Sequence, residues 1–209
     1  GELILDKLDD LFQDNAKFLS LTHVSNVLGT INPIKDIISK AHSQGITTLV
    51  DAAQSVPHMS VDVQDLDSDF FVFSGHKMLG PSGIGVLHAK KTLLENMNPF
   101  LYGGDMISSV SLRDAQWNEI PWKFEAGTPN IVGAIGLGKA VDYLNQIGME
   151  VVHKHEQELY KWHTIQGVHV PLRYDSFVDG KKTEQRELET IYFNIDIPPE
   201  YFLQPSSPK

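Results

Sequence analysis

A chain of 209 residues with 17 basic and 27 acidic side chains carries a net charge of −10 and has no basic run or stripe, so a nucleic-acid partner is not expected. Hydrophobic residues make up 41% and charged residues 21%, the balance of a globular protein of one large or two small domains, and no apolar run is long enough to cross a membrane as a helix. Cysteine is absent, which excludes a disulfide, a thiolate metal ligand and a cysteine nucleophile within these residues.

The opening GELILDKLDDLF is acidic and amphipathic, unlike a secretory signal or a transit peptide. With no initial Met, the chain is expected to be a processed form or one piece of a longer protein. AKFLSLTHV (16–24) reads as a strand running into SNVLGTINP. Pro33 then opens a helical pattern that sets Ile34, Ile37, Ile38 and Ala41 on one face, with Gly45 as its stop. ITTLVDAA is a second strand and FFVFSGH a third, both nearly unbroken in apolar character, as in strands covered on both faces. Strand, helix, strand at this spacing predicts a parallel sheet with right-handed crossovers. GIGVLHA is a fourth strand, reached by so short a turn that it is expected to run antiparallel to the third.

After a loop containing YGGDM, the stretch WNEIPWKFEAGTPN is aromatic and irregular. From 131 to about 162 the pattern is helical, as one long helix or as two broken near Gly148. Beyond His163 the character changes: prolines become frequent and only ETIYFNIDI alternates as a strand should. The expected organisation is a main unit over 1–162 and a divergent segment over 163–209.

In open α/β sheets ligands bind beyond the carboxyl ends of the strands. Asn26 lies there after the first strand, Asp51 and Gln54 after the second, and Ser74, His76 and Lys77 after the third. Each has a plain alternative: Asp51 as a turn former, Ser74 and His76 bonded to local backbone, Lys77 snorkelling to water. One chemistry explains them together. A buried lysine amine is a nucleophile suited to a Schiff base, as pyridoxal phosphate requires, and a carboxylate such as Asp51 keeps the cofactor's ring nitrogen protonated. Gln54 is suited to the ring's 3-oxygen, and Ser74 and His76 to phosphate oxygens. The glycines of GPSGIG lead into a strand rather than a helix, so neither a dinucleotide fingerprint nor a P-loop is expected. HKHE (153–156) reads as a solvated helix face rather than a metal site.

THVSNVLGTINP, the long run from LVDAAQSVP through FVFSGHKMLGPSGIGVL, and FEAGTPN together resemble the class V aminotransferase family of pyridoxal-phosphate enzymes. Within it they look most like SufS-type cysteine desulfurases, which also act as selenocysteine lyases. The resemblance implies an α/β fold, part of the large domain of pyridoxal-phosphate fold type I, with a mostly parallel sheet flanked by helices. It implies that Lys77 is the Schiff-base and catalytic lysine, that Asp51, Gln54, Ser74 and His76 bind the cofactor, and that Asn26 lies near the substrate carboxylate. It further implies that Thr128 reaches the cofactor phosphate of the neighbouring subunit in a homodimer.

The reaction implied is cysteine to alanine, with sulfur passed to an acceptor protein for iron–sulfur cluster assembly in the cytoplasm. Members of this group also carry N-terminal strands with a ring-stacking histidine, and a C-terminal cysteine and arginine, none of which aligns here. Arg173 and Arg186 therefore receive no role, and the chain is expected to be a fragment that is inactive alone. Selenocysteine cleavage, or another β-elimination on the same cofactor, is the second reading. A non-catalytic scaffold remnant is the third.

Overall fold

The computed structural model describes residues 3–12, 15–160, 162–165, 168–171, 173–178 and 181–187. A 3-10 turn (Leu5–Lys7) and α1 (Leu8–Leu11) lead into β1 (Phe18–Thr22), α2 (Ile34–Ser43) and β2 (Thr47–Asp51). α3 (Val63–Leu66) precedes β3 (Phe70–Ser74), a 3-10 turn (Gly75–Met78) and β4 (Gly85–Ala89). These four strands form one sheet in the order β1-β2-β3-β4, the first three parallel and the fourth antiparallel. α4 (Lys91–Asn96) follows, then an antiparallel hairpin of β5 (Ile107–Val110) and β6 (Ala115–Trp117).

The helical stretch is two helices, α5 (Ile131–Ile147) and α6 (Met149–Tyr160). Gly148, at φ 88°, supplies the left-handed residue that ends the first of them.

Register explains the core. Leu21, Val50 and Phe71 align across β1, β2 and β3, so their side chains share one face. On that face Val50 and Phe71 cluster with Ile34 and Ile38 of α2, two of the four side chains that the helical spacing had placed together. α5 presents Leu137 and Leu144 to Met78, with Phe73 packed alongside. On the opposite face the edge strands carry Phe18 and Leu87, exposed by 53% and 55%, while the inner strands β2 and β3, expected to be covered on both faces, have only buried and half-buried side chains.

At the end of the sheet away from Lys77, Lys90 Nζ lies 2.7 Å from Asp67 and 3.2 Å from Asp69, and His42 Nε2 lies 2.9 Å from Asp69. These contacts tie the exit of α2 to the entry of β3 and the end of β4. Burial pushes the Asp69 carboxyl up, but the Thr48 N–H, His42 and Lys90 outweigh it and hold the group below its ordinary range.

Three differences from the sequence reading stand out. Residues 107–117 form a hairpin where a loop was expected. The stretch 63–66 is a short helix, its first turn held by Asp62, whose side chain accepts the N–H groups of Gln64 and Asp65. From 162 onward the described residues form two antiparallel hairpins, β7 (Trp162–Ile165) with β8 (Val168–Pro171), and β9 (Arg173–Val178) with β10 (Lys181–Glu187). The strand expected at ETIYFNIDI lies outside the described residues.

Candidate functional site

The carboxyl ends of β1 and β2 finish level, and β3 runs two residues beyond them. Thr22 aligns with Asp51 and Asp51 with Val72, while Ser74 follows Val72 by two residues. Side chains two apart on a strand emerge on the same face, so Asp51 and Ser74 leave the sheet together. The sequence-predicted residues divide around this row.

Asp51 ends β2. Its Oδ1 accepts the Ala53 N–H at 2.9 Å, a local turn that fixes the carboxylate against its own backbone. The Ala52 N–H reaches the Val72 carbonyl at 2.8 Å, which extends the ladder one residue past the strand. The chain then coils through hydrogen-bonded turns on Ala52 and Ser55, with Gln54 half-buried among them.

Ser74 ends β3, and the Gly75–Met78 turn carries His76 exposed and Lys77 half-buried. Two bonds close this turn: the Gly80 N–H donates to the Gly75 carbonyl at 3.0 Å, and the Gly75 N–H to the Ile84 carbonyl at 2.8 Å. A Cβ on Gly75 would sit 2.8 Å from Ile84 Cγ2 and 2.9 Å from the Ile84 carbonyl oxygen, so only glycine fits. Among the described residues no ion pair engages Lys77.

Asn26 stands apart, exposed on the loop after β1. The loop returns to the sheet through an antiparallel bridge of Val24 with Ile31, and the Asn32 side chain donates to the Thr22 carbonyl at 2.7 Å. Thr128 is likewise exposed, between Gly127, whose N–H donates to the Gly104 carbonyl at 2.9 Å, and Asn130, which caps α5.

One residue was passed over in the sequence reading although it lies inside a quoted motif. His23, the His of THVSN, is 6% exposed, and its backbone N–H donates to the Asp51 carbonyl at 2.9 Å. Its Nδ1 is buried with no hydrogen-bond partner, and desolvation pushes the imidazole below its ordinary value. A histidine between Thr and Val at a strand end gives no sequence signal of burial.

The arrangement brings a half-buried amine, a carboxylate fixed by its own turn, an amide, a hydroxyl and an imidazole to one edge of one sheet. Such a set can attach a carbonyl compound covalently and hold a charged ring and an anion around it.

Comparison with known proteins supplies the context. The sequence profile described as Aminotransferase class-V matches residues 1–196. A probable cysteine desulfurase of Halalkalibacterium halodurans is 54% identical over 162 residues, covering 78% of this chain and 40% of that protein. A probable cysteine desulfurase of Halobacterium salinarum is 51% identical over 196 residues, 94% of this chain and 46% of the other.

Among solved structures, the cysteine desulfurase CsdA from Escherichia coli superposes with a TM-score of 0.73 at 42% identity, covering 76% of this chain and 40% of that one. An apo cysteine desulfurase from Thermococcus onnurineus gives 0.76 at 36% identity, covering 87% and 48%. The chain spans less than half the length of each of these four proteins. The expected fold class, an α/β fold with a mostly parallel sheet and flanking helices, is the one observed, and solved cysteine desulfurases share it.

Proposed function

Because the chain belongs to the class-V aminotransferase family, we propose that it supplies the lysine-bearing part of a pyridoxal-phosphate-dependent cysteine desulfurase, the SufS-type among them. The observation that carries this reading is the seating of Lys77 in the turn after β3, one strand from Asp51 at the carboxyl end of the same parallel sheet. The donor set fits the cofactor. Asp51 already has one oxygen anchored by the Ala53 N–H, and the Lys77 turn is closed by backbone bonds on both sides.

Pyridoxal phosphate, when bound, supplies an electron sink that weakens a bond at the substrate's β-carbon. Lys77 Nζ would hold it covalently and, once released, carry a proton between substrate positions. Asp51 would keep a proton on the ring nitrogen, Gln54 would bond the 3-oxygen, and Ser74 and His76 would donate to phosphate oxygens. Asn26 would orient the substrate carboxylate from the loop after β1. Thr128 would reach the cofactor phosphate of a neighbouring copy.

Cysteine is the substrate in this reading. No thiol able to take its sulfur lies among these residues. The acceptor is therefore a group elsewhere in the protein or on a partner that passes sulfur towards iron–sulfur clusters. The same absence favours selenocysteine as the second reading, because releasing selenium leans less on a thiol nucleophile. A second copy of the chain is the expected partner. A homodimer is supported by exposed apolar side chains at Phe100, Leu101, Tyr102, Trp122, Ile131 and Val132. Action in the cytoplasm belongs to this reading; among the described residues no helix is long and apolar enough to cross a membrane.

The test is to add pyridoxal phosphate to the purified protein and to Lys77→Ala, and to record visible absorption. A band from lysine-bound cofactor that vanishes in the variant is expected. Its absence from the folded wild-type chain would overturn the cofactor assignment and leave the scaffold reading.

A further inference from the structure

Asn130 occupies a junction that its role as a helix cap does not exhaust. Its Oδ1 accepts the Gly133 N–H at 2.9 Å, the ordinary capping bond at the start of α5. Its Nδ2 points the other way and donates to the Gly83 carbonyl at 3.1 Å, across 47 positions of sequence. Gly83, at φ 79°, lies in the tight turn between β3 and β4. The next residue, Ile84, accepts the Gly75 N–H that opens the Lys77 turn. Two hydrogen bonds in series, Asn130 Nδ2 to the Gly83 carbonyl and the Gly75 N–H to the Ile84 carbonyl, therefore connect the Asn130 amide to the backbone that carries Lys77.

The surroundings are cut to keep this side chain in place. A Cβ on Gly133 would lie 2.4 Å from Asn130 Nδ2, so any side chain there would displace the amide. A Cβ on Gly136 would lie 2.5 Å from Pro81, so α5 abuts the same turn one helical turn further on. Thr128 is two residues before Asn130. The loop meant for one copy's cofactor phosphate is thus linked to the turn that holds the other copy's lysine.

We propose that Asn130 is a positioning residue for Lys77, acting through the Gly83 carbonyl, and that it couples the Thr128 loop to the lysine turn. The idea rests on the assignment of Lys77 to the cofactor. An alanine would remove cap and donor together, so the informative changes are Asn130→Asp and Asn130→Ser. Aspartate still accepts from Gly133 but cannot donate to Gly83. Serine caps well but is too short to reach Gly83.

Both variants are expected to melt near the wild-type temperature, to exchange backbone amides faster over 75–85, and to bind pyridoxal phosphate about three- to tenfold more weakly, the factor for one lost hydrogen bond. The pH at which the lysine-bound band titrates is expected to move with them, which a purely structural cap would not cause. Unchanged exchange over 75–85 in both variants would overturn the proposal. So would faster exchange with unchanged cofactor affinity and titration. A wild-type chain that takes up no cofactor would sink the broader assignment instead, and the exchange measurement, made without cofactor, would still decide whether Asn130 sets the turn.

Discussion

Thr48 donates both its backbone N–H, at 2.8 Å, and its hydroxyl, at 3.2 Å, to the same oxygen of Asp69, and the Asp69 N–H returns a bond to that hydroxyl at 3.2 Å. The pair locks the entry of β3 to the start of β2, at the opposite end of the sheet from Asp51 and Ser74. Asp69→Asn is expected to lose about 1–3 kcal/mol, because the donors gathered on a charged, mostly buried acceptor would lose it. The folded carboxyl sits below its ordinary 3.8, so its contribution is full above that pH and fades as pH falls through the lower folded value. Urea unfolding should therefore show wild type and variant converging in acid. A constant gap down to the lowest pH would contradict this.

His23 also costs stability as pH falls, but for a different reason and in a higher pH range. Burial holds its imidazole below 6.5, so the unfolded chain takes up the proton first and stability drops as pH falls from 6.5 towards the folded value. His23→Gln is expected to flatten that slope. Unfolding midpoints compared between about pH 7 and about pH 5 would reveal it, and identical slopes in the two proteins would refute it.

Asp51 is expected to matter through the cofactor rather than through the fold. Half-buried at a strand end, its visible protein bond is one local turn, so Asp51→Ala should shift melting little. Affinity for pyridoxal phosphate should fall by about tenfold or more, the loss expected of a hydrogen bond to a charged group. Titrating the visible band measures it, and unaltered affinity would remove Asp51 from the site.

Gly75→Ala tests the tightness of the lysine turn. The added methyl would meet both the side chain and the backbone of Ile84, and backbone cannot swing aside. A loss of about 1–3 kcal/mol is expected from such overpacking. Thermal melting of the variant checks it.

What the sequence made legible follows from where the signals are strong. α2 announced itself through four isoleucine and alanine positions at helical spacing, and all four are buried. β4 was readable because GPSG leaves too few residues for a crossover. The sequence left one long helix and two helices broken near Gly148 as alternatives, and the structure takes the second, with Gly148 at φ 88°. The hairpin at 107–117 was not readable, because ISSV and AQW are short, mostly exposed and lack an apolar alternation.

The positions of Asp51, Ser74 and Lys77 after their strands were readable from the sequence, and the structure sets them at one edge of the sheet. The link from Asn130 to Gly83 was invisible, since nothing local marks a bond between such distant positions. The burial of His23 depends on the loop that folds back through Asn32, whose N–H donates to the His23 carbonyl at 2.9 Å. Single-residue chemistry carries no trace of that return.

The antiparallel turn from β3 into β4 also bears on the order of folding. Ser74 meets Gly85 across a short connection, whereas Thr22 must find Asp51 and Asp51 must find Val72 across whole crossovers. Short loops close at lower entropic cost, so the hairpin holding Lys77 is expected to form ahead of the parallel pairings. Val86→Ala should then slow folding more than Leu21→Ala does for the same loss of stability, as stopped-flow kinetics would measure. The lysine's seat would be built first, and the carboxylate brought to it afterwards.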